Sequence, residues 1–524
     1  MQPLVRFILG LVASVSLAVA WTPHTRWLFA AAHAASRSSL PSGELRYALH
    51  VTLAPAWFDP AETPAQLIPF AVLYALHDAL VRPIPGTRLG AALAESWHES
   101  ADGLTYEFTL RPALKFHNGT PCTTDDVHFS FMRYKGAGAR ELHAKVKSVE
   151  LVDARTIRFH LHAPWPDFLT FYGTTATAAG VVVPKAYLEQ VGAEGFKKHP
   201  IGLGPYKFVR YTPGGDLVLE AFEEYWRKSP HIKRLIIQGV PESTTRLAML
   251  KRQETDFAFG LEAQVAEAVR NDPQLQLVAV QYPSIVWVEF LDQWDPKSPW
   301  ADYRVRLAAN YAIDRQAINE AACLGLCPLT GVIIPRDLDY ALPLAPLPYD
   351  PPKARQLLAE AGYPHGFDAG ELSPLPPFYV LGEAVVNDLN AVGIRVNMHT
   401  MERAAFDTAR RAKKLRGLLL AVVGLSGNAA TRVEAFIYSK GTQAYGGYPD
   451  MDAWFEQQAT ERHPGQRAAL LHRIQQLTAE RAMFLPLMDY RHLVGVGPRV
   501  AAHALNTIPT YLFPALEDIQ LKEK

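Results

Sequence analysis

The chain has 524 residues, which is too many for one hydrophobic core, so two or three lobes are expected. Lys plus Arg and Asp plus Glu both number 52, and this formal net charge of zero provides no global field that would attract nucleic acid or anionic lipid. Charged residues at 20% and aromatic residues at 10% are typical of an ordered globular chain and exclude an intrinsically disordered one.

The N-terminal segment has the pattern of an export signal. The apolar run FILGLVASVSLAVA, Phe7–Ala20, is too short to cross a bilayer core of about 30 Å but fits the apolar region of a signal peptide. Small-x-small cleavage patterns occur, and cleavage near Ala34 or Ala35 makes residues 1–35 the predicted signal peptide. No cysteine precedes Cys122, so we expect a periplasmic protein without a lipid anchor.

Several segments have the period-two alternation of half-buried strands. They are Leu104–Arg111, Val149–His160 and Leu217–Phe222. Strand-like runs also follow helical ones near Asn271–Pro283 and Phe484–Gly497. These two places are predicted to be crossovers between lobes.

The stretch KFHNGTPCTTDDVHFSF, Lys115–Phe131, contains the residue types of a metal or nucleophile site. Its asparagine-glycine pair predicts a turn, and Thr123 with Asp126 fits a capping box for a helix from Val127. Neither histidine has metal-ligand spacing to Cys122. We therefore predict structural roles for this stretch, without a catalytic or metal-binding residue.

Helical patterns dominate the second half of the chain. Asp350 precedes Pro351 at the first position of a predicted helix, and Gly362 ends it. The other predicted helices are Asp302–Ala322 and those that open at Asp450 and Pro464.

The three cysteines leave several pairings open. Cys323 and Cys327 flank Gly325, and a helix that ends at this glycine brings the two sulfurs within reach of a local disulfide. Two free thiols or a metal-binding pair are the alternatives. Cys122 is expected to stay free and buried.

A series of ordered motifs extends over roughly Gly43 to Arg499. They are AESWHESADGLTYEFTLRPALKFHNGTPCTTDDVHFSFMR at Ala94–Arg133, GLGPY at Gly202–Tyr206, EEYW at Glu223–Trp226, VRLAANYAIDRQAI at Val305–Ile318 and YDPPKARQLLAEAGYPHGF at Tyr349–Phe367. Together they resemble the signature of the family 5 extracellular solute-binding proteins of ABC importers, which include dipeptide, oligopeptide and nickel-complex binding proteins.

This resemblance implies an α/β, two-lobed periplasmic-binding-protein fold, type II-like of cluster C, with an extra subdomain in lobe I. Lobe I with the subdomain is expected at 36–278, lobe II at 279–487, and the C-terminal return to lobe I at 488–524. The implied function is capture of a peptide-like or other small polar solute by hinge closure, followed by delivery to ABC permease subunits at the inner membrane. A monomer that uses no cofactor, metal or nucleic acid is expected.

The resemblance also indicates where the ligand lies. Peptide binders of the family carry an aspartate that pairs with the α-ammonium of the peptide, but the corresponding stretch here, Val422–Gly441, has Ser426 and Asn428 near that position. Burial of an unpaired ammonium costs several kcal/mol, so a peptide with a free amine is put in doubt. Arg432 in this stretch either meets an anionic group or is solvated at the surface.

Two tryptophans complete the predicted ligand-binding set of Trp57, Trp287, Ser426, Asn428 and Arg432. Trp57 lies in AWFDP near the entry loop of the first lobe, and Trp287 lies in SIVWVEFLDQ, Ser284–Gln293, where relatives place an aromatic strand at the cleft. Each either lines the pocket or packs in a core. A peptide-like, opine-like or sugar-conjugated solute fits these residues.

Two other functions compete with solute binding. GLSGN at Gly424–Asn428 is close to the GxSxG motif of an exported hydrolase, but its second glycine comes one place early, and no strand-turn-helix context with an ordered acid and histidine is evident. A scaffold or chaperone-like protein on the same fold is the second alternative, because the acid that anchors peptides is missing.

Overall fold

The computed structural model describes residues 40–62, 68–136, 138–173, 177–424 and 427–523. The predicted signal peptide, its cleavage site and Ser426 lie outside the described residues. Pro41–Lys524 forms one compact unit. Within the described ranges, no helix combines the length and the apolar character needed to cross a membrane.

The strands are numbered in chain order. They are β1 (Ser42–Leu49), β2 (Val81–Ile84), β3 (Thr87–Ala91), β4 (Ala94–Glu99), β5 (Thr105–Leu110), β6 (Val146–Leu151), β7 (Thr156–Leu161), β8 (Tyr206–Tyr211), β9 (Asp216–Ala221), β10 (Ile232–Gly239), β11 (Phe257–Phe259), β12 (Gln276–Phe290), β13 (Phe367–Pro374), β14 (Ile394–Met398), β15 (Leu418–Gly424), β16 (Phe484–Val496), β17 (Val500–Ala502) and β18 (Gln520–Leu521).

The α-helices of the described ranges are numbered in the same way. They are α1 (Pro69–Leu76), α2 (Thr124–Arg133), α3 (Ala139–Lys145), α4 (Phe168–Tyr172), α5 (Lys185–Lys198), α6 (Ser243–Lys251), α7 (Ala263–Arg270), α8 (Tyr303–Ala312), α9 (Arg315–Cys323), α10 (Pro351–Glu360), α11 (Tyr379–Ala391), α12 (Arg403–Arg411), α13 (Ala429–Phe436), α14 (Pro449–Gln458) and α15 (Pro464–Glu480).

A ten-stranded sheet connects the two lobes. Its order is β14-β13-β15-β12-β16-β11-β1-β10-β9-β8, so the long strands β12 and β16 lie in the middle and pair with each other antiparallel. These strands lie at the two places predicted as crossovers, which confirms their strand character. The lobe boundaries at 278/279 and 487/488 stay a prediction.

The apolar clusters change along the crossover strands. Val280 and Tyr282 of β12 pack in the first-lobe cluster with α1, whereas Val286 and Val288 pack with α8–α11. Trp287 points to the opposite face and packs with α13–α15, because neighbouring side chains of a strand alternate between faces. The second lobe therefore has one apolar layer on each side of its sheet.

A separate sheet forms the extra subdomain of the first lobe. Its order is β4-β5-β7-β6, and all its neighbours are antiparallel. β5 alternates half-buried and buried residues, as predicted for Leu104–Arg111. The predicted strand Val149–His160 is instead a hairpin of β6 and β7, which the sequence DART at 153–156 interrupts with a turn. Phe108 and Phe159 pack edge to face in the core beneath this sheet.

Capping residues set the helix bounds. The capping box of Thr123 and Asp126 is present, but α2 begins at Thr124 and not at Val127. Asp350 accepts a hydrogen bond from the backbone N–H of Lys353, which confirms the predicted start of α10. The single helix predicted over Asp302–Ala322 is wrong: α8 ends at Ala312, and Asp314 caps a new helix by accepting from the N–H of Ala317 (2.9 Å).

The turn after α9 brings Cys323 and Cys327 together. Leu324 and Gly325 both have left-handed backbone conformations, and Cys323 and Cys327 form a disulfide with Cα atoms 5.8 Å apart. Cys122 is free and buried, as predicted. Of the three alternatives for Cys323 and Cys327, the structure shows the local disulfide.

A buried carboxylate joins the EEYW motif to α1. Asp78 accepts hydrogen bonds from Arg82 Nε (2.5 Å), the Tyr225 hydroxyl (2.7 Å) and Trp226 Nε1 (2.7 Å). Its side chain is 0% exposed and that of Arg82 is 5% exposed. The cation and both neutral donors therefore depend on this single acid.

Replacing Asp78 with alanine is expected to lower the free energy of unfolding by about 3–5 kcal/mol, because a buried guanidinium loses its counter-charge. Thermal or urea unfolding measures the change. Lys115→Ala is the control, since the exposed Lys115–Glu224 pair is expected to contribute less than about 1 kcal/mol. Equal losses in both variants would contradict the prediction.

His117 carries the second stability prediction. Its Nδ1 accepts from the N–H of Gly202 (3.2 Å), so Nε2 holds the proton and donates to the carbonyl of Gly204 (3.0 Å). Burial lowers the pKa of His117 to about 3 and that of nearby His77 to about 4. Both rings are therefore neutral in the folded protein at pH 7.

A histidine with a lowered pKa is protonated first in the unfolded chain, so its stabilising contribution is present above pH ~6.5 and is lost as the pH falls towards 3. Each such histidine adds a slope of about 1.4 kcal/mol per pH unit in this window. His117→Asn is expected to reduce the slope of unfolding free energy between pH 6 and 4.5 by about this amount. An unchanged slope in urea titrations across that range would refute the assignment.

Candidate functional site

The carboxyl ends of parallel strands from both lobes meet at the crossover. β15 runs antiparallel to β12, so its last residue, Gly424, pairs with Ser284. β11 runs antiparallel to β16 and parallel to β1, so β1 ends facing the crossover just before His50. Ligands of open α/β sheets bind beyond the carboxyl ends of the strands. The candidate site therefore lies between His50 and the segment that follows Gly424.

The crossover ladder is interrupted at this place. Gln281 pairs with Arg491 and the next pair is Ile285 with Asp489, so Tyr282–Ser284 lies opposite Tyr490 alone. Pro283 has no N–H to donate, which favours a break in the ladder here. At this bulge, the backbone of β12 leaves regular pairing with β16, close to the ends of the neighbouring strands.

Aromatic rings form the first-lobe side of the site. His50 stacks on Phe259 (5.7 Å between centroids), Phe259 stacks on His492 (5.4 Å), and Tyr490 packs edge to face on His492 (5.3 Å). Burial lowers the pKa of His50 to about 4 and that of His492 to about 3. The site thus presents neutral imidazoles, and Nδ1 of His50 is buried without a hydrogen-bond partner within the described ranges.

Arg432 on α13 forms the second-lobe side. It is 0% exposed, which excludes a solvated surface position. Nη2 donates to the carbonyl of Val423 (3.1 Å), but Nε and Nη1 have no hydrogen-bond partner among the residues that the structure describes. The guanidinium carbon lies 5.5 Å from the ring of Trp287 and 5.6 Å from that of Phe436. Burial lowers the pKa of Arg432 to about 9.

Other buried arginines of the chain are much better satisfied. Arg306 donates to four backbone carbonyls between 2.6 and 3.1 Å away. Arg315 donates to the carbonyls of Pro486 and Asn310 and to the side chain of Asn310. The nearby carboxylate of Glu289 pairs with Arg410 at 3.0 Å. Arg246 and Arg410 each leave Nε without a partner in the described ranges, whereas Arg432 leaves both Nε and Nη1 unused and has no carboxylate partner there.

A second incompletely paired charge lies on β16. Asp489 Oδ2 accepts from Arg336 Nε (2.6 Å), whereas its Oδ1 is buried without a hydrogen-bond partner in the described part of the chain. Burial raises the pKa of Asp489 despite the arginine. Asp337, the next residue after Arg336, accepts from the side-chain amide of Gln281. Strand β16 thus supplies an acceptor beside the bulge.

The structure brings together some of the predicted site residues. Trp287 and Arg432 are in contact, and Asn428 caps the helix that carries Arg432. Trp57 is 8% exposed and packs in the first-lobe cluster, apart from the others. Trp287 is fully buried and packs edge to face on Phe436 (5.1 Å). Ligand contacts of these residues stay a prediction, and Ser426 lies outside the described residues.

The GLSGN segment does join a strand to a helix, namely β15 to α13. The sequence-based view that it lacks a strand-turn-helix context is therefore wrong. What separates the segment from a nucleophile elbow is its spacing, because the second glycine is Gly427 and the next residue, Asn428, is used as the helix cap. Within the described ranges, no group of three or more His, Cys, Asp or Glu side chains is arranged to hold a metal ion.

Sequence reasoning missed His50, His492 and Asp489. All three lie in strands or at strand ends whose neighbours are far apart in sequence, so no local motif marks them. A polar residue in an otherwise apolar strand was the available signal, as in LMDYRHLVG around Asp489 and His492.

Comparison with curated proteins gives relatives that cover large parts of the chain. Heme-binding protein A of Haemophilus influenzae is 32% identical over 65% of this chain and 67% of its own length. Glutathione-binding protein GsiB of Escherichia coli is 28% identical over 89% of this chain and 92% of its own length. For the GsiB protein of Pectobacterium atrosepticum, the match spans about half of that protein, 53% of its length.

Solved structures have the same fold. The structure of NikA from Brucella suis in complex with Fe(III)-EDTA has a TM-score of 0.80 at 21% identity and covers 92% of this chain and 100% of that one. The family description "Bacterial extracellular solute-binding proteins, family 5 Middle" matches residues 88–446. The two-lobed α/β fold and the ordered motifs agree with this match. The chain belongs to the bacterial extracellular solute-binding proteins of family 5.

Proposed function

We propose that the protein captures a small solute with an anionic group between its lobes and delivers it to an ABC permease at the inner membrane. Arg432 carries this proposal, because a fully buried guanidinium with two unused nitrogen donors is costly unless an acceptor completes it. A carboxylate or phosphate oxygen of a ligand is the acceptor that best fits a guanidinium. The protein acts by binding and release, without a chemical step.

Several features support a solute of mixed character. The guanidinium of Arg432 lies over the rings of Trp287 and Phe436. On the first-lobe side, His50 and His492 stack on the buried Phe259, so the flat imidazole rings are the surfaces available to a ligand there. Both histidines are neutral, so they add no charge that would favour a second anion. We infer an anionic, partly apolar solute such as a modified peptide or an acidic conjugate.

The relatives support the same ligand class. Two of them are named for glutathione, which carries two carboxylates beside its α-ammonium, and a structural neighbour was solved with the polycarboxylate chelate Fe(III)-EDTA. Simple dipeptides, with one terminal carboxylate each, are expected to bind more weakly than such acidic solutes, because Ser426 and Asn428 lie near the position where peptide binders of the family carry the acid that pairs with the ammonium group. The ligand of this chain is proposed from its own residues.

Closure of the lobes explains how binding is transmitted. A ligand that contacts His50 on one lobe and Arg432 on the other binds the closed form better, so it shifts the population towards that form. We propose the lobe boundaries predicted from the sequence, at 278/279 and 487/488, as the places where the chain crosses. The exported, monomeric protein would present the closed form to its permease.

Native mass spectrometry of the protein purified from its host is expected to reveal a co-purified anionic small molecule. After removal of that molecule, adding it back at one hundred times its Kd is expected to stabilise the protein by about 2.7 kcal/mol, without turnover. A product that accumulates would favour the hydrolase alternative. Absence of any bound solute and of any thermal shift with glutathione and other acidic solutes would favour the scaffold.

Replacing Arg432 with methionine is expected to separate affinity from stability. Affinity for an anionic ligand should fall at least about 30-fold, the equivalent of 2 kcal/mol or more for a lost charge-assisted contact. The ligand-free protein should melt at the same temperature or higher, because an incompletely paired buried charge is removed. Calorimetric titration with the co-purified ligand, or with glutathione as the probe, gives the affinity.

Arg306→Met is the matched control for this experiment. Arg306 is buried to a similar extent but is satisfied by four carbonyls, so its loss should cost about 3 kcal/mol or more of stability. Ligand affinity per folded molecule should then stay within about twofold of the original. If Arg432→Met binds as well as the unchanged protein, the anionic-anchor proposal fails.

A further inference from the structure

A buried charge cluster links the extra subdomain to the second lobe. Asp167, just before α4, accepts from Asn428 Nδ2 at 2.5 Å and forms an ion pair with Arg467 on α15. The Arg467 side chain is 3% exposed and that of Asp167 is 11% exposed. These are contacts over sequence separations of 261 and 300 residues.

The three residues come from regions with different hydrophobic cores. Asp167 is flanked by Trp165 and Phe168, which pack in the core of the extra subdomain. Asn428 and Arg467 belong to helices whose apolar residues, such as Val433 and Leu471, pack in the second lobe. A polar bridge between two separate cores can open without disrupting either core.

The second lobe holds both partners of Asp167 in fixed positions. Asn428 Oδ1 accepts from the N–H of Thr431 as the cap of α13, so its Nδ2 is directed at Asp167. Arg467 Nε donates to Gln458 (3.1 Å), and the guanidinium carbon lies 5.2 Å from the ring of Tyr340. The helix N-terminus of α13 adds a favourable field for the incoming carboxylate.

Two exposed ion pairs surround this bridge. Arg462 pairs with Glu99 at 3.0 Å, and Arg88 pairs with Asp339 at 2.7 Å, with all four side chains at least 38% exposed. Exposed pairs contribute little to stability. The buried bridge is therefore expected to contribute more than these exposed pairs to holding the extra subdomain against the second lobe.

We propose that Asp167, Asn428 and Arg467 form an interlobe clamp that stabilises the closed form before a ligand binds, so that the ligand supplies only the remaining part of the free energy of closure. This inference rests on the lobe motion of the proposed function and adds an intrinsic closing device to it. The carboxylate comes from the extra subdomain. This subdomain therefore helps to set the closed-to-open ratio from which ligand binding starts. An acid at position 428 would repel Asp167, so the clamp also accounts for asparagine at that position.

Removing one partner should open the ligand-free protein. With Asp167→Asn, the closed form buries Arg467 without a counter-charge, whereas the open form leaves it hydrated. With Asn428→Asp, two carboxylates face each other. Each change is expected to lower the closed-to-open ratio of the ligand-free protein by about tenfold or more.

Distances between spin labels provide the measurement. Met132→Cys on α2 and Val380→Cys on α11 place labels at exposed sites, 58% and 65% exposed, on the two sides of the clamp. Cys122 is buried and Cys323 and Cys327 are joined, so the native cysteines do not compete. The protein is freed of ligand, checked by native mass spectrometry, and each variant is first shown to retain its cooperative melting.

The expected result is a larger fraction of short label distances in the ligand-free unchanged protein than in Asp167→Asn and Asn428→Asp. Arg462→Gln, the matched change at an exposed pair of the same interface, should keep the larger fraction of short distances. Identical distances in Asp167→Asn and the unchanged protein, or an equal shift in Arg462→Gln, would overturn the clamp. Ligand-induced thermal stabilisation tests the proposed function separately, because it should persist in Asp167→Asn and in Arg462→Gln, neither of which changes a predicted ligand-binding residue.

Discussion

The pairing of β12 with β16 is the constraint on which the rest of the structure depends. These two strands satisfy each other's backbone groups while their ends belong to different apolar clusters. Every other strand of the ten-stranded sheet attaches on one side or the other, so its direction is set relative to this pair. Strands that end facing the crossover bring His50 and Gly424 to the same place, and the bulge at Tyr282–Ser284 opens the ladder there.

Local chemistry was predictable from the sequence. The capping box at Thr123 and the Asp350–Pro351 start depend on residues within three positions of each other, and both are present. The same local rule shows why the long helix predicted from Asp302 fails, since apolar spacing continues past Ala312 while Asp314 starts a new cap. Periodicity alone cannot distinguish one helix from two that share a face.

The candidate site was predictable only in part. The resemblance to the peptide binders of the family predicts Val422–Gly441 as ligand-binding, which includes Arg432 and Asn428, but their burial and partners are not evident from the sequence. Asp167 lies far away in the sequence and carries no motif, so its contact with Asn428 depends on the docking of two separate cores. Ion pairs formed in this way leave no periodic signal in either segment.

Two buried charges at this interface differ in how they are paired. Asp167 is completed by protein groups from the opposite lobe, so its energy depends on lobe separation and not on the ligand. Arg432 keeps unused donors within one lobe, so under the proposed function its energy depends on the ligand that accepts from them. If protein groups paired both charges, a ligand would gain little from closure. If protein groups paired neither charge, the closed form would bury two uncompensated charges. Asn428, which contacts Asp167, caps α13, and Arg432 lies in the middle of the same helix, so the proposed clamp and the proposed anion anchor share one helix.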